Sequence, residues 1–425
     1  MAARVSVVIP SHNRRASLER AVAALAAQSY PPDQIEVLVV ADGCGDGTES
    51  TAIPAPLTGR VIAQPGGGPA AARNRGAATA AGDLLVFIDD DVEPSRDLVA
   101  AHFRAHLAAA GPAIVVGYLP PKLQRRRDLF GIALRGWWEA MFERMRTPGH
   151  RFAYSDVLSG NCSMPASLFR AIGGFDERLR CHEDYELGYR ALGAGARIRF
   201  AADAGGWHDE RTDLHRALGR KRHEGIADIA LARKHPELWP SLPCGNDLRP
   251  LSRRERVLRT LALTQLSAGD AVAFASAKTL GVLEYVGDRA RWHATLDRLL
   301  WYWYWRGVAD ALDGASFADF RRAIVLQAPA EAVLLEIDLE PGLEAAEREI
   351  DRRRPRGAIL RYGPVRVGTI PVQPWAEPLA GRHLRHLLKT TYADRLAQAI
   401  GIVNALDASR SACHPLGFVD DGPAA

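Results

Sequence analysis

Apolar residues gather in short unbroken runs that stop at polar clusters. Val5-Ser6-Val7-Val8-Ile9 halts at Pro10, Ile35 to Val40 runs into Ala41-Asp42-Gly43, and Leu84-Leu85-Val86-Phe87-Ile88 ends in Asp89-Asp90-Asp91. Continuous apolar runs of this length predict strands buried on both faces, as in parallel sheets. Between them the pattern shifts to helical spacing. Leu18, Val22 and Leu25 form one apolar face, in a helix that Ser17 is suited to cap. Gly66-Gly67-Gly68 is followed by Pro69, placed for the first position of an Ala-rich helix that carries Arg73, Asn74 and Arg75. Val61-Ile62, Ile114 to Tyr118 and Ile198 to Ala201 read as further strands. This alternation predicts an α/β fold with a mostly parallel, doubly wound sheet.

The remainder is more helical. Leu129, Phe130, Leu134, Trp137, Trp138, Met141 and Phe142 form an amphipathic segment after Arg125-Arg126-Arg127. It reads as a packed helix with a solvated basic start, or alternatively as a lid or a membrane-surface contact. Pro240 to Pro250 has the composition of a linker. Arg253 to Leu312 is helical, and Trp301-Tyr302-Trp303-Tyr304-Trp305 surrounds that helix with rings. Such a run welds a helix to its neighbours; a sugar-stacking platform is the sharper alternative. Val333 to Leu339, Ala358 to Tyr362 and Val365 to Val372 read as strands, and Leu343 to Arg354 and His383 to Ala405 as helices. The expected division is an α/β domain over 1–240, a helical extension over 241–325 and a small α+β module over 326–425.

Composition narrows the class. The apolar fraction of 47% and charged fraction of 24% are those of a soluble globular protein. A net charge of +4 is too small to argue for nucleic acid. The five Cys, at 44, 162, 181, 244 and 413, lack zinc-type spacing. No signal-peptide pattern opens the chain, so reduced thiols in a cytoplasm are expected. Leu261 to Val286 comes nearest to a membrane span, but Asp270, Lys278 and Glu284 interrupt it.

The chemistry lies at the strand ends. A dry strand cannot continue into three carboxylates, so Asp89, Asp90 and Asp91 belong at its C-terminal edge, where open α/β sheets bind ligands. Along an extended chain Asp89 and Asp91 point one way and Asp90 the other. Such close acids call for a cation, and Mg²⁺ or Mn²⁺ held with substrate phosphates is the economical one. The Ser11-His12-Asn13-Arg14 loop and Asp42 reach the same edge and outline a nucleotide site. Arg73 and Arg75 sit near a helix start that favours anions, although, taken alone, a solvated helix face explains them better. Farther on, His182-Glu183-Asp184-Tyr185-Glu186 puts three acids into one helical turn, and His208 follows Gly205-Gly206-Trp207. Arg216 to Leu238 is a basic helix, which reads as a solvated face.

Val5–Arg14, Val39–Thr48, Gly68–Gly76, Phe87–Pro94, Gly173–Glu177, Glu183-Asp184 and His208 stand in the order and spacing of the family 2 glycosyltransferases, and residues 3–235 resemble that family. The resemblance implies a GT-A fold and inverting transfer from a nucleotide-diphosphate sugar, UDP-linked, to a hydroxyl acceptor. That acceptor would be a glycan, a lipid-linked precursor or a small molecule. It implies that Pro10, Ser11, Asn13, Arg14, Asp42, Arg73, Asp89 and Asp90 bind the nucleotide sugar. Asp91, with Asp89 and His208, would hold Mn²⁺ or Mg²⁺. Asp184, beside Glu183, would be the catalytic base. The family loop often carries two acids, and here Ala41 replaces the first. The alternatives are a sugar nucleotidyltransferase, whose usual glycine-rich loop after the first strand is missing, and a nucleotide-sugar-binding regulator without turnover. Partners are expected to be small molecules, with peripheral membrane contact and a homodimer both compatible with the sequence.

Overall fold

The computed structural model describes residues 4–122, 128–246, 251–264, 266–327 and 334–412. The Arg125-Arg126-Arg127 run and the end of the expected linker, 247–250, lie outside them. The chain forms two compact units: Met1–Arg146 with Phe152–Pro329, and Thr147–Arg151 with Ala330–Ala425.

The first unit begins with β1 (Val5–Ser11), α1 (Arg15–Ala26), β2 (Ile35–Asp42), β3 (Thr58–Gln64), α2 (Pro69–Thr79) and β4 (Leu84–Ile88). Then come β5 (Val92–Pro94), α3 (Leu98–Leu107), β6 (Ala113–Gly117), α4 (Leu129–Arg146), β7 (Asn161–Pro165) and α5 (Ala166–Ala171). It continues through α6 (Glu183–Gly193), β8 (Arg197–Ala201), β9 (Gly206–His208) and α7 (Leu214–Lys234), and closes with α8 (Arg253–Thr264), α9 (Leu266–Tyr285), α10 (Arg289–Leu312) and α11 (Phe317–Gln327). Seven strands form one sheet in the order β3-β2-β1-β4-β7-β6-β8. β7 runs antiparallel to both its neighbours and the other pairs are parallel. β1, β2 and β4 are buried along their whole length, as their unbroken apolar runs require.

Several local details set up the polar edge. The backbone of α2 comes close to the side chain of Val8 on β1 at Gly76, where a Cβ would lie 2.4 Å from Val8 Cγ1. Arg73, one turn earlier on the same buried face, is thereby carried to the sheet edge. β4 ends at Ile88, and the acids continue as a turn in which Val92 N–H donates to Asp89 O. Strand alternation therefore does not govern them, and Asp90 and Asp91 both reach Arg14. β5 and β9 pair with Val92 opposite His208, which brings the imidazole beside Asp91. Helix α1 starts at Arg15, two residues before Ser17, and has no side-chain cap.

α10 lies hard against α7. A Cβ at Gly225 would lie 2.1 Å from Tyr304 O, and one at Gly307 1.8 Å from Arg222 O, so only glycine lets the two backbones touch. Trp292, Tyr302, Trp303, Tyr304 and Trp305 are all buried in this helical layer. Among the described residues no helix is long and apolar enough to cross a membrane.

The second unit holds β10 (Leu335–Asp338), α12 (Leu343–Arg353), β11 (Ala358–Tyr362), β12 (Val365–Ile370), α13 (Gly381–Thr390) and α14 (Ala393–Ala412). β10 is parallel and β12 antiparallel to β11, and β11 and β12 turn at Gly363-Pro364. The single helix expected over 383–405 is broken before Ala393. Tyr392 packs against Gly368 of β12 and donates its hydroxyl to Thr369 O, which draws the chain out of helical continuation.

Behind β7, the ring of His102 lies 2.9 Å from Asn161 Oδ1 and from Ser163 Oγ, and His106 lies 2.8 Å from Ser163 Oγ. Burial pushes both imidazoles down to about 4. Because the folded values lie below the ordinary His value, the stability they support is complete above about pH 6.5 and is lost as pH falls toward 4. Denaturant unfolding should show this decline. In histidine NMR, two resonances should stay neutral down to about pH 5; full titration of both near pH 6.5 in the folded protein would contradict it.

Candidate active site

A cleft of about 1180 Å³ opens at the C-terminal edge of β1, β2 and β4. Its walls include Pro10, Ser11, Arg14, Asp42, Arg73, Asp89, Asp90, Asp91, Glu183, Asp184 and His208. These residues are spread over some two hundred positions of sequence and meet because parallel strands deliver their ends to one edge. Asn13 is the exception among the expected site residues. Its backbone is left-handed at φ 52°, its Oδ1 accepts from Gly45 N–H, and it lines a separate groove.

Arg73 is the most constrained group in the cleft. It is 4% exposed and donates through Nη2 to Asp89 Oδ1 at 2.7 Å and through Nη1 to Glu183 Oε1 at 3.0 Å. One guanidinium thus ties the end of β4 to the first turn of α6. Its carbon also lies 5.6 Å from the Phe175 ring centre. Desolvation opposes the charge, but Asp89 and Glu183 outweigh it and raise the Arg73 pKa. Burial and the neighbouring Asp184 raise Glu183, with Arg73 acting against them.

Asp42 is bound by its own surroundings. Its carboxylate accepts from Gly67 N–H and Gly68 N–H at 2.7 Å each and from Gln64 Nε2 at 2.8 Å. The glycine run therefore serves as a cradle for Asp42. Gly68, with φ 90°, is held left-handed at the start of α2. The carboxylates at the end of β4 are partnered from β1: Ser11 Oγ donates to Asp90 Oδ2 at 2.7 Å, and Arg14 pairs with both Asp90 and Asp91. Burial pushes the Asp90 carboxyl up to about 6, against the pull of Ser11 and Arg14. At Asp91 burial is outweighed by His208 and Arg14, so its carboxyl stays below the usual range.

The fit to a divalent cation can be tested on Asp91 and His208. Asp91 Oδ1 is buried and has no hydrogen-bond partner; His208 Nε2 lies 3.2 Å away. His208 Nδ1 is likewise buried and unbonded, with Glu210 Oε2 at 3.7 Å. Among the described residues no three His, Cys, Asp or Glu side chains gather as a complete metal-ligand group. A hard cation held by one carboxylate, one imidazole and substrate phosphates needs no such group, so these residues fit one. Asp89 is turned toward Arg73 instead.

Asp184 is half-buried. Its Oδ1 accepts from Tyr185 N–H at 2.9 Å and its Oδ2 from Ser159 N–H at 3.2 Å. These bonds fix the carboxylate's plane and leave it facing the cleft. Behind it, the fully buried Glu186 is held by Arg190, Lys234 and His235, which locks α6 to the end of α7.

Sequence reasoning missed several lining groups. Arg180 donates to Gly67 O across the glycine loop, and Ser159, His182 and Glu210 also face the cleft. Glu210 had a readable signal in its place two residues after His208. Trp138 lines the cleft with its ring 6.1 Å from that of His208, as do Arg220 and His223 of α7, whereas none of residues 301–305 does.

A family model described as glycosyl transferase family 2 matches residues 6–173. A pre-mycofactocin glycosyltransferase of Mycobacterium tuberculosis is 34% identical over 242 residues, covering 55% of this chain and 48% of the relative. A validoxylamine A glucosyltransferase of Streptomyces hygroscopicus subsp. limoneus is 31% identical over 270 residues, covering 56% and 58%. The chain thus spans about half the length of these two relatives. Glycosyltransferase AglE of Haloferax volcanii is 35% identical over 211 residues, which is 49% of this chain and 67% of that protein. The chain belongs to glycosyltransferase family 2. Its fold is accordingly the GT-A arrangement, to which this protein adds the helical layer α8–α11 and a second α/β unit.

Within this family 2 protein the Arg73 clamp should dominate local stability. Arg73→Ala leaves the buried Glu183 and the half-buried Asp89 without their cation and should cost about 3 kcal/mol in urea unfolding. Arg73→Lys keeps the charge but cannot bridge both acids, so it should recover only part. Full stability in Arg73→Ala would contradict the clamp.

Proposed function

We propose that the protein transfers a sugar from a nucleotide-diphosphate donor, UDP-linked, to an acceptor hydroxyl with inversion, and that it depends on a divalent cation. The observation that carries this reading is the shared cleft of Asp42, Asp89, Asp91, Asp184 and His208, whose chemistry divides into a nucleotide side and a base side.

On the nucleotide side, Pro10, Ser11 and Asp42 contact base and ribose, with Asp42 oriented by the Gly67 and Gly68 amides. Asp89, held by Arg73, faces the ribose and diphosphate. Asp91 and His208 are the residues that would hold Mn²⁺ or Mg²⁺. When bound, such a cation supplies positive charge to the departing diphosphate. Arg14 is half-exposed, so it can leave Asp90 and Asp91 and turn toward phosphate oxygens. Arg220 adds positive charge from α7, and His223 lines the same wall.

On the base side, Asp184 takes the proton of the acceptor hydroxyl as that oxygen attacks the anomeric carbon from the face opposite the nucleotide. The Ser159 and Tyr185 amides keep the carboxylate oriented for this. Glu183, tied to Arg73, positions the helix start. No covalent intermediate on the protein is required.

Nucleotide-sugar hydrolysis and transfer, followed by release of the nucleoside diphosphate, test the reading. Asp184→Asn should bind UDP as the parent does and lose transfer by about 10³-fold or more. Normal turnover in Asp184→Asn would remove Asp184 from its role. Asp91→Ala, or EDTA on the parent, should abolish activity, with Mn²⁺ restoring it only to the parent; undiminished turnover in EDTA would refute the metal dependence. Release of pyrophosphate, or tight binding without turnover, would favour a nucleotidyltransferase or a binding protein.

A further inference from the structure

His182 stands two residues before Asp184 and lines the same cleft, yet no part of the reaction described above uses it. Its backbone is left-handed, with φ 60° and ψ 19°, at the entry to α6. A residue that is not glycine holds such a conformation only where its surroundings over-determine it. Here the determinant is a buried chain of hydrogen bonds from the helical layer. His182 Nδ1 lies 3.0 Å from Asp228 Oδ1 on α7. Asp228 is 1% exposed, and its other oxygen accepts from the Tyr304 hydroxyl on α10 at 2.6 Å. The Tyr304 oxygen in turn accepts from Cys244 N–H at 3.0 Å. The ring of His182 stacks on Tyr185, 4.5 Å centre to centre. Its position is thus fixed from two sides.

This arrangement has a chemical consequence. With Nδ1 committed to Asp228, Nε2 has no partner among the described residues. Asp228, Glu224 and Asp184 favour the imidazolium over the opposing desolvation, and His182 is raised in pKa as a result. Nε2 is thus left to bond a ligand in the cleft that Asp184 also lines. An imidazole nitrogen and a carboxylate lining one cleft match two neighbouring hydroxyls of one molecule: the first gives its proton to Asp184, and the second, able to donate or to accept, hydrogen-bonds to His182.

We propose that His182, oriented by Asp228 and Tyr304, positions the acceptor through a hydrogen bond between Nε2 and the hydroxyl next to the reacting one, so that the acceptor class is a vicinal diol such as a sugar ring. The proposal rests on Asp184 being the base of a glycosyl transfer. It also makes Tyr304, on a helix outside the sheet, part of the acceptor site.

Methyl β-D-glucopyranoside serves as the diol probe, titrated into the full chain saturated with UDP and Mn²⁺ and followed through histidine side-chain NMR. The His182 Nε2 resonance should shift on binding. His182→Ala should weaken probe binding about tenfold, and Tyr304→Phe about threefold or more. Affinity for UDP should stay within about twofold in both. The double variant should bind the probe no more weakly than His182→Ala alone, because Tyr304 acts through His182. A parent protein that does not bind the probe, an unmoved His182 resonance, or additive losses in the double variant would each overturn the proposal. Failure to bind UDP would instead strike the nucleotide-sugar reading itself, so the two failures are separable.

Discussion

One buried guanidinium holds the site together. Arg73 comes from α2, yet its partners sit on other elements: Asp89 at the end of β4 and Glu183 at the start of α6. A charged group that is 4% exposed is tolerable only if both ends of its fork are satisfied. That requirement fixes the separation between the turn that carries Asp91 and the helix that carries Asp184. The two sides of the proposed reaction are therefore braced against each other by charge rather than by apolar packing. The close contact of α2 with β1 at Gly76 sets where Arg73 can reach, so the clamp depends on a glycine that carries no chemistry of its own.

A second brace comes from outside the sheet. α6 is anchored by Glu186 to Arg190, Lys234 and His235, and α7 is pressed onto α10 at Gly225 and Gly307. The aromatic run on α10 thus acts at a distance: its rings fill the helical layer, and one of them, Tyr304, reaches Asp228 beneath the cleft. The helical layer belongs to the same compact unit as the sheet, which explains how residues far along the chain can bear on a strand-edge site.

Much of this was legible in the sequence. The apolar runs at 5–9, 35–40 and 84–88 gave strands, because a parallel strand buried on both faces has no other way to be written. The abrupt acids at 89–91 marked the polar edge of the sheet, where the cleft opens, for the same reason. Less local features were hidden. The directions of Asp90 and Asp91 depend on a turn, not on strand alternation, and that turn is closed by hydrogen bonds to Val92 and Gly160. Arg73 looked like a solvated helix residue because its partners lie 16 and 110 positions away. Asn13 sits inside a polar loop that otherwise faces the cleft, and only its left-handed backbone turns it aside. The link from Tyr304 on α10 through Asp228 on α7 to His182 at the entry of α6 leaves no pattern in any one element.

The central claim is spatial: a single cleft takes nucleotide diphosphate and cation at Asp91 and His208, with Asp184 facing the sugar. Anomalous scattering from crystals grown with UDP and Mn²⁺ tests it most directly. The account predicts a manganese peak bonded to Asp91 and His208 and to the diphosphate, with the uridine lying along Ser11 and Asp42. Manganese or uridine bound elsewhere, with Asp91 still paired to Arg14, would contradict it.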